Sequence, residues 1–389
     1  MRLVLPRRRR SVLAAAALLV TILAVASLVA SWFVAGLAAD ATITLRTGER
    51  KLQLEVVAVT DTEITLHSLG DSNLRTNGIW GIEWRDEGGG WAQVGDVLRI
   101  DEGRDEVTRA RVPGWPAPLL GVRARLDIWA FPGDPGSIGL PFQDVTYEAP
   151  EGAMPAWFVP GTRSTWVIYT HGRGSERREA LRTLPTVARL GLPALVLTYR
   201  NDPEAPGPHT QHEFGATEWP DIEAAVRYAL GHGATDVILY GYSMGAVTEL
   251  SFLNHSSLAS SVRAVIMDAP MLDLHEMIER GLGDAGIPSP ARFLPLWVMA
   301  RRYGLDWDAL DYLHHDEGLT MPTLLFHGVQ DDSVAVDLSD RFVARHPGLI
   351  EYHRIEGAGH TQSWNADPAE YEAALAAFLA RVLPAVAQP

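Results

Sequence analysis

The chain has 389 residues, of which 47% are hydrophobic and 21% charged, an ordinary globular composition with room for one large domain and a smaller segment. It contains no cysteine, which excludes disulfides, thiolate catalysis and cysteine-ligated metal sites. Five arginines and no acids occupy the first ten residues, so the net charge of −15 becomes −20 for the remainder. Such a polyanion is a poor partner for nucleic acid.

The N-terminus has the pattern of a membrane anchor. A basic tip, residues 1–10 with Arg2 and Arg7 to Arg10, precedes an uncharged apolar run over 11–39. A helix of about twenty apolar residues spans a bilayer, whereas signal-peptide cores are nearer ten. Basic residues before the run favour a cytoplasmic N-terminus, which predicts a single-pass anchor in the cell membrane with the rest of the chain outside. Secretion after signal-peptide cleavage is the alternative, because Ala39-Asp40-Ala41 is a weak small-residue cleavage site.

Residues 41–112 predict a small antiparallel β-rich unit. Alternating runs separated by turn residues give the strands, which are Leu52–Val57, Glu63–His67, Trp80–Trp84 and Asp96–Ile100. We assign its tryptophans to a small core rather than to a ligand platform. The Pro/Gly-rich stretch 113–141 predicts a linker that runs over the surface.

Residues 142–389 predict an α/β domain. A hairpin comes first, and continuous apolar strands then alternate with helices, which is typical of a mostly parallel sheet with helices on both faces. The predicted strands are 142–147, 154–159, 166–169, 194–199, 236–240, 264–267 and 323–326, and the predicted helices are 178–190, 220–230 and 368–382.

A long insert separates the strands that end at Met267 and begin at Thr323. Residues 271–321 exceed an ordinary crossover and contain two helical segments, 272–280 and 291–303. An insert at the carboxyl edge of a sheet is placed to act as a lid. Its apolar residues Trp297 and Met299 are the candidates for contact with substrate.

The stretch Gly241-Tyr242-Ser243-Met244-Gly245 directly follows the apolar strand Asp236–Tyr240. A serine with glycines two residues before and two residues after it, between a strand and a helix, has the pattern of a nucleophile elbow. The turn strains the serine backbone, and only very small side chains fit at the glycine positions. This pattern predicts a nucleophilic hydroxyl at the carboxyl edge of the sheet.

Candidate partners for Ser243 follow downstream. Asp331 and Asp332 lie three and four residues after Gly328, which ends a strand, and His360 lies in a loop of small residues before the last helix. A nucleophilic serine needs a histidine base that is oriented by an acid. The chain order Ser, Asp, His is the one that α/β-hydrolases require.

Three further motifs carry a family resemblance: His171–Gly174 reads His-Gly-Arg-Gly, Tyr199–Asp202 reads Tyr-Arg-Asn-Asp, and His360–Asn365 reads His-Thr-Gln-Ser-Trp-Asn. With the elbow and its partners, they make residues 142–389 similar to serine hydrolases of the α/β-hydrolase superfamily, in particular its membrane-anchored bacterial branch. The resemblance covers roughly two-thirds of the chain. It implies Ser243 as nucleophile, His360 as general base and acid, and Asp331 as the orienting acid.

The sequence offers three candidates for the orienting acid and two backbone amides for the oxyanion hole. In the family pattern Gly-x-x-Asp-x-x-Val, Gly328 and Val334 bracket Asp331; Asp332 is one residue out of place, and Asp268, at the end of the preceding strand, is the other alternative. The backbone amides of Met244 and Arg173 are the expected oxyanion donors.

The expected function is hydrolysis of a carboxylic ester through an acyl-enzyme, with apolar or lipid-like acyl esters favoured by the insert. A serine peptidase of the prolyl-oligopeptidase or aminopeptidase type is the alternative. A membrane-tethered binding protein on an inactivated hydrolase scaffold is the alternative from another class. No cofactor or metal is expected, because His314 and His315 beside Asp316 have no further ligand at a usable spacing.

Overall fold

A computed structural model describes residues 7–45, 50–85 and 89–384, with side chains described from residue 11 onward. The chain divides into two compact units, Met1–Thr44 with Leu274–Ala309 and Leu45–Asp273 with Leu310–Pro389. The helices, in chain order, are α1 Arg7–Thr42, α2 Leu184–Arg189, α3 Trp219–Gly231, α4 Met244–His255, α5 Leu274–Asp284, α6 Ser289–Tyr303, α7 Val336–Arg345, α8 Ser363–Ala366 and α9 Pro368–Val382.

The strands, in chain order, are β1 Leu54–Val59, β2 Glu63–Ser68, β3 Trp80–Trp84, β4 Gly90–Asp101, β5 Glu106–Arg111, β6 Arg123–Asp127, β7 Gln143–Ala149, β8 Gly152–Val159, β9 Thr165–Thr170, β10 Ala194–Leu197, β11 Asp236–Tyr242, β12 Val262–Asp268, β13 Thr323–Gly328 and β14 Ile350–Ile355.

The first unit is helical and consists of α1, α5 and α6. Over Ser11–Thr42, α1 is long and apolar enough to cross a membrane, with a mean hydropathy of 2.8. Residues 11–30 are all exposed, and in the last turns a buried face appears at Ser31, Ala35, Ala39 and Ile43. This spacing of four is one helix face, and small residues there allow α6 to pack closely against α1.

Arg302, near the end of α6, also reaches α1. Its Nη1 donates to the backbone oxygen of Trp32 at 3.2 Å, and its guanidinium lies 4.2 Å from the centre of the Trp32 ring. A Cβ on Gly36 would lie 3.2 Å from Arg302 Nη1, so this side of α1 has room only for glycine without a shift of the arginine. The helical insert is therefore packed on the last turns of α1.

In the second unit, the predicted β-rich segment is a closed antiparallel barrel with the strand order β1-β2-β5-β4-β3-β6. The expected linker over 113–141 is wrong in one respect, because it contains β6, which pairs with β1 and β3 and closes the barrel. Ala124 and Leu126 of this short strand, with Val122 just before it, pack in the hydrophobic core of the barrel. The prolines of the segment lie on either side of β6, where they interrupt no ladder.

The α/β part of this unit is built on an eight-stranded sheet with the order β14-β13-β12-β11-β9-β10-β8-β7. All neighbouring pairs from β14 to β10 are parallel, and the β7–β8 hairpin adds an antiparallel edge. The predicted α/β-hydrolase architecture is confirmed. The expected helix 178–190 is instead a 3-10 turn, Arg177–Arg182, followed by α2, because Pro185 in the first turn of α2 has no N–H to continue the helix.

Candidate active site

Ser243 lies at a strained turn between β11 and α4. Its φ of 49° and ψ of −113° place an L-residue in a conformation that needs support from its surroundings. A Cβ on Gly241 would lie 2.4 Å from Ala246 Cα, and one on Gly245 would lie 2.2 Å from the carbonyl oxygen of Thr170. Because both contacts are with backbone atoms, only glycine fits at these two positions.

The three sequence-predicted residues form one hydrogen-bonded chain. Nε2 of His360 lies 2.8 Å from Ser243 Oγ, and Nδ1 of the same ring lies 2.7 Å from Asp331 Oδ2. The parallel sheet makes this possible, since the loops after β11 and β13 leave the same edge. With Nδ1–H donated to the carboxylate, Nε2 is the acceptor for the serine proton.

Asp331 is held in its ionised form. Burial alone would raise the pKa of Asp331, but the charge of His360 and the hydrogen bonds from His327 and His360 hold it well below its usual value. Its Oδ1 also accepts the backbone N–H groups of Ser333 at 2.9 Å and Val334 at 2.7 Å. Both oxygens are thus fixed, and one of them faces His360.

The pKa of His360 is shifted in the opposite direction to that of Asp331. Burial alone would lower the pKa of His360, but the Asp331 carboxylate and its hydrogen bond raise it above the ordinary value of 6.5. About 25% of the side chain is exposed, which leaves the ring accessible to a proton and to water. These are the properties of a histidine that exchanges protons with a neighbouring hydroxyl.

The two alternative acids lie elsewhere. Asp332 is exposed to solvent. Asp268 is buried, its Oδ1 accepts a hydrogen bond from Ser363 Oγ at 2.9 Å, and burial raises its pKa to about 6. Its backbone oxygen accepts the N–H of Ser243 at 2.9 Å, and this bond helps to hold the strained turn at the serine. The geometry therefore favours Asp331 over both.

The two expected oxyanion donors flank the serine. Met244 is the first residue of α4, where an N–H has no partner inside the helix. Arg173 belongs to the loop after β9. A Cβ on Gly172 would lie 3.2 Å from Ser243 Cβ, so this loop lies directly against the nucleophile. Glu179 Oε2 accepts the Gly172 N–H at 2.8 Å and fixes the loop.

His171 is a structural residue of that loop. Its Nε2 lies 2.8 Å from Asp202 Oδ2 and its Nδ1 lies 2.9 Å from the Gly172 carbonyl. Burial alone would lower the pKa of His171, but Asp202 raises it to about 9. With two acceptors around the ring, both nitrogens act as donors, and the imidazolium has no lone pair for use as a base.

Sequence reasoning missed a second histidine beside the acid. The buried His327 has Nε2 at 3.1 Å from Asp331 Oδ2 and at 2.9 Å from the Val334 carbonyl, and Nδ1 at 2.7 Å from Ser339 Oγ. Its position immediately before Gly328, at the end of a buried strand, is the only sequence signal. It contacts the same oxygen of Asp331 as His360 does, and so helps to fix the carboxylate.

The remaining candidates lie outside this cluster. Trp297 and Met299 are both on α6, where Trp297 is 45% exposed and Met299 is buried. His314 bonds Asp311 through Nδ1 at 2.7 Å. Across the described ranges, no group of three or more His, Asp or Glu side chains is placed to hold a metal ion.

Comparison with solved structures places the fold. Esterase Pf2001 of Pyrococcus furiosus matches 65% of this chain and 97% of its own, with a TM-score of 0.53 and 19% identity. A puromycin-hydrolyzing peptidase of Mycobacterium tuberculosis matches 76% of this chain and 45% of its own, with a TM-score of 0.50 and 17% identity. The chain has an α/β-hydrolase fold.

Sequence comparison adds two findings. A family model described as a domain of unknown function, DUF8805, matches residues 55–127 of this chain, which form the barrel. The uncharacterized protein Rv2307c of Mycobacterium tuberculosis is 24% identical over 226 residues, which is 56% of this chain and 72% of that protein.

Proposed function

We propose that this protein is a serine hydrolase that cleaves carboxylic esters. The observation that carries the proposal is the continuous hydrogen-bonded chain from Ser243 Oγ through His360 to Asp331, with the serine at a strained elbow. These features argue against the alternative of a non-catalytic binding protein, because binding alone does not require a strained serine hydrogen-bonded to a histidine whose pKa is raised.

The geometry supports acyl transfer in two steps. Ser243 Oγ attacks the ester carbonyl while His360 Nε2 takes its proton, and the amides of Met244 and Arg173 receive the developing oxyanion. His360 then returns the proton to the leaving alcohol, which leaves an acyl-enzyme. Water, deprotonated by His360, attacks the acyl carbonyl. His360 returns that proton to Ser243 Oγ as the acyl–oxygen bond breaks, which releases the acid and restores the free serine. Each oxyanion donor is worth on the order of 100-fold in rate or more.

We rank esters above amides because esterase Pf2001 is matched over 97% of its own length, whereas the puromycin-hydrolyzing peptidase is matched over 45% of its own. The apolar sequence of the insert is the reason for proposing an apolar or lipid-like acyl group. The peptidase alternative is supported by the Mycobacterium tuberculosis peptidase, whose match extends over 76% of this chain. Turnover of p-nitrophenyl esters of increasing acyl length, compared with aminoacyl and X-Pro amides, separates the two.

We also propose that α1 anchors the enzyme in the membrane with the catalytic part outside. The exposed residues 11–30 supply about 30 Å of apolar helix, the thickness of a bilayer core. The buried face at Ala35 and Ala39 favours an anchor over a cleaved signal peptide, because cleavage after Ala39 removes the helix on which α6 packs.

Fluorophosphonate labelling tests the enzymatic proposal, since the reagent forms a covalent adduct only with an activated serine. We expect wild type to be labelled and Ser243→Ala to be unlabelled. Ser260→Ala, which removes an exposed hydroxyl, is the matched control and keeps full labelling. Equal labelling of wild type and Ser243→Ala, or none of either, contradicts the proposal.

A further inference from the structure

The barrel touches the loop that carries His360. This histidine loop is defined as residues 359–365 and includes the start of α8; it ends at Asn365, which is completely buried. Asn365 Nδ2 donates to the carbonyls of Ile79 at 2.7 Å and Ile128 at 2.8 Å, and the Ile79 N–H donates to the Asn365 carbonyl at 2.9 Å. Three hydrogen bonds thus join the end of the histidine loop to the barrel and to the segment that leaves it.

A second contact lies beside the histidine itself. Gln362 Nε2 donates to Asn73 Oδ1, in the loop between β2 and β3, at 3.0 Å. The Oε1 of the same side chain accepts the N–H of Gly359 at 3.0 Å. Gln362 therefore connects the barrel to the residue immediately before His360.

A buried arginine extends the connection to the oxyanion loop. Arg182 Nη1 donates to the Thr361 carbonyl at 2.7 Å and to Asn365 Oδ1 at 2.9 Å. Its Nη2 lies 3.3 Å from Glu179 Oε1, and the other oxygen of Glu179 holds the Gly172 N–H. One network of buried groups therefore reaches both loops that flank Ser243.

The barrel presents a rigid surface to this network. Arg109, buried inside the barrel, donates to the carbonyls of Leu74 at 3.0 Å, Thr76 at 2.8 Å and Gly78 at 3.1 Å. These three residues belong to the loop that precedes Ile79. A buried cation that donates to several carbonyls fixes that loop, because moving the loop would leave buried donors of Arg109 without partners.

We propose that the barrel is a positioning element of the active site, in which residues 73–79 hold the histidine loop in its reactive geometry. Thr361, next to His360, has a φ of 52°, a conformation that persists only when the surroundings enforce it. A catalytic group displaced by about 1 Å loses on the order of 100-fold in rate. The inference rests on the proposed hydrolase function and assigns a role to residues 55–127.

The test inserts one methyl group at the contact. A Cβ on Gly78, whose φ is +102°, would lie 2.0 Å from the Asn365 carbonyl oxygen. Gly70 is the matched control because it has a similar φ of +110° in the same barrel, and its Cβ would lie 3.5 Å from Gln53 Nε2. Gly78→Ala and Gly70→Ala thus share the backbone strain and differ in the contact.

We expect Gly78→Ala to lower kcat for ester hydrolysis and the rate of fluorophosphonate labelling by about 100-fold, with KM changed less than about twofold. The pKa in its pH profile of kcat/KM should also shift, because His360 moves relative to Asp331. Gly70→Ala should keep wild-type kcat at a comparable Tm. Equal kcat and labelling rates in the two variants overturn the inference, whereas an unlabelled wild type overturns the proposed function and this inference with it.

A second pair of substitutions, each of which removes only one side-chain hydrogen bond, tests the inference if Gly78→Ala does not fold. Asn73→Ala removes the hydrogen bond to Gln362, and Gln53→Ala, in the same barrel but outside residues 73–79, removes a side-chain hydrogen bond to the Gly70 carbonyl. We expect only Asn73→Ala to lower kcat, by about fivefold to tenfold, the worth of one hydrogen bond of about 1 kcal/mol. Identical kcat values in this pair contradict the positioning role.

Discussion

Ser243 occupies a backbone conformation that costs on the order of 1–3 kcal/mol, and its neighbours leave it no alternative. The glycines at 241 and 245 let α4 and the loop after β9 approach within backbone contact, and the serine hydroxyl is thereby aimed at His360. Because the serine is aimed at His360, we expect turnover to depend on this histidine and on Asp331. Two predictions follow from their geometry.

The first concerns the acid. Asp331→Asn should lower kcat by about 10⁴-fold, because an amide in place of the carboxylate stabilises the wrong tautomer of His360. Asp332→Asn is the matched control: it makes the same chemical change at an exposed neighbour and should leave kcat unchanged. Steady-state ester hydrolysis measures both. Loss of turnover in Asp268→Asn with retention in Asp331→Asn would reassign the acid to Asp268.

The second concerns pH. In the proposed mechanism the neutral form of His360 accepts the serine proton, so kcat/KM should rise with pH through the pKa of His360, which is raised above its ordinary value of 6.5. Because the Asp331 charge raises this pKa, any residual activity of Asp331→Asn should rise at lower pH than in wild type. For stability the sign is the reverse: the His360–Asp331 contact stabilises the fold below about pH 6.5 and loses that contribution as pH rises through the folded-state pKa of His360. An activity profile that falls with rising pH over this range contradicts the assignment.

At the scale of elements, α4 carries an unusual buried acid behind the elbow. Glu249 is fully buried, and a Cβ on Gly241 would lie 2.8 Å from its Oε2. Burial raises the pKa of Glu249 well above its ordinary value of 4.5. A carboxyl group whose folded-state pKa is raised stabilises the fold below the unfolded-state pKa, and this contribution is lost as pH rises toward the folded-state value.

Glu249→Gln should therefore raise the Tm at neutral and alkaline pH, by about 1–2 °C for each kcal/mol gained in a unit of this size, because the amide has the same shape and no proton to lose. The gain should vanish near pH 4, where the carboxyl group is protonated in both states. Thermal unfolding monitored by circular dichroism from pH 4 to pH 9 measures it. A lower Tm of the variant at every pH would contradict this account.

Elements with a strong local signal were predictable from the sequence, and those defined by tertiary pairing were not. β11 and β13 are continuous apolar runs, buried on both faces, and the elbow glycines mark the turn that follows β11. In β14 only Ile350 and Ile355 are buried, so this edge strand has no apolar run to detect. β6 also lacks a long apolar run, because it is a short strand inside a proline-rich segment.

The same distinction between local motifs and tertiary contacts applies to the residues of the site. Ser243, His360 and Asp331 lie in local motifs, and the structure brings these three together. The network of Glu179, Arg182 and Asn365 joins residues far apart in the chain, and no local pattern indicates that their side chains meet.

At the scale of the whole molecule, we expect α1 to stay attached to the mature protein. If it does, the intact mass of the protein isolated from its host includes α1, and the protein stays in the membrane fraction after alkaline carbonate extraction. We expect this outcome because Ala35, Ala39 and Ile43 are buried on the face that meets α6. A soluble protein with an N-terminus after Ala39 or Ala41 would indicate secretion instead.

Two shortened chains test the packing that underlies this expectation. A chain that begins at Ser31 lacks the exposed span but keeps the turns that contact α6, whereas a chain that begins at Leu45 lacks both. We expect α6 to resist limited proteolysis in the first chain and to be cleaved in the second, because its apolar face is then uncovered and local unfolding becomes inexpensive. Equal protection in both chains would mean that α6 does not depend on α1, and the structural argument against cleavage would then fail.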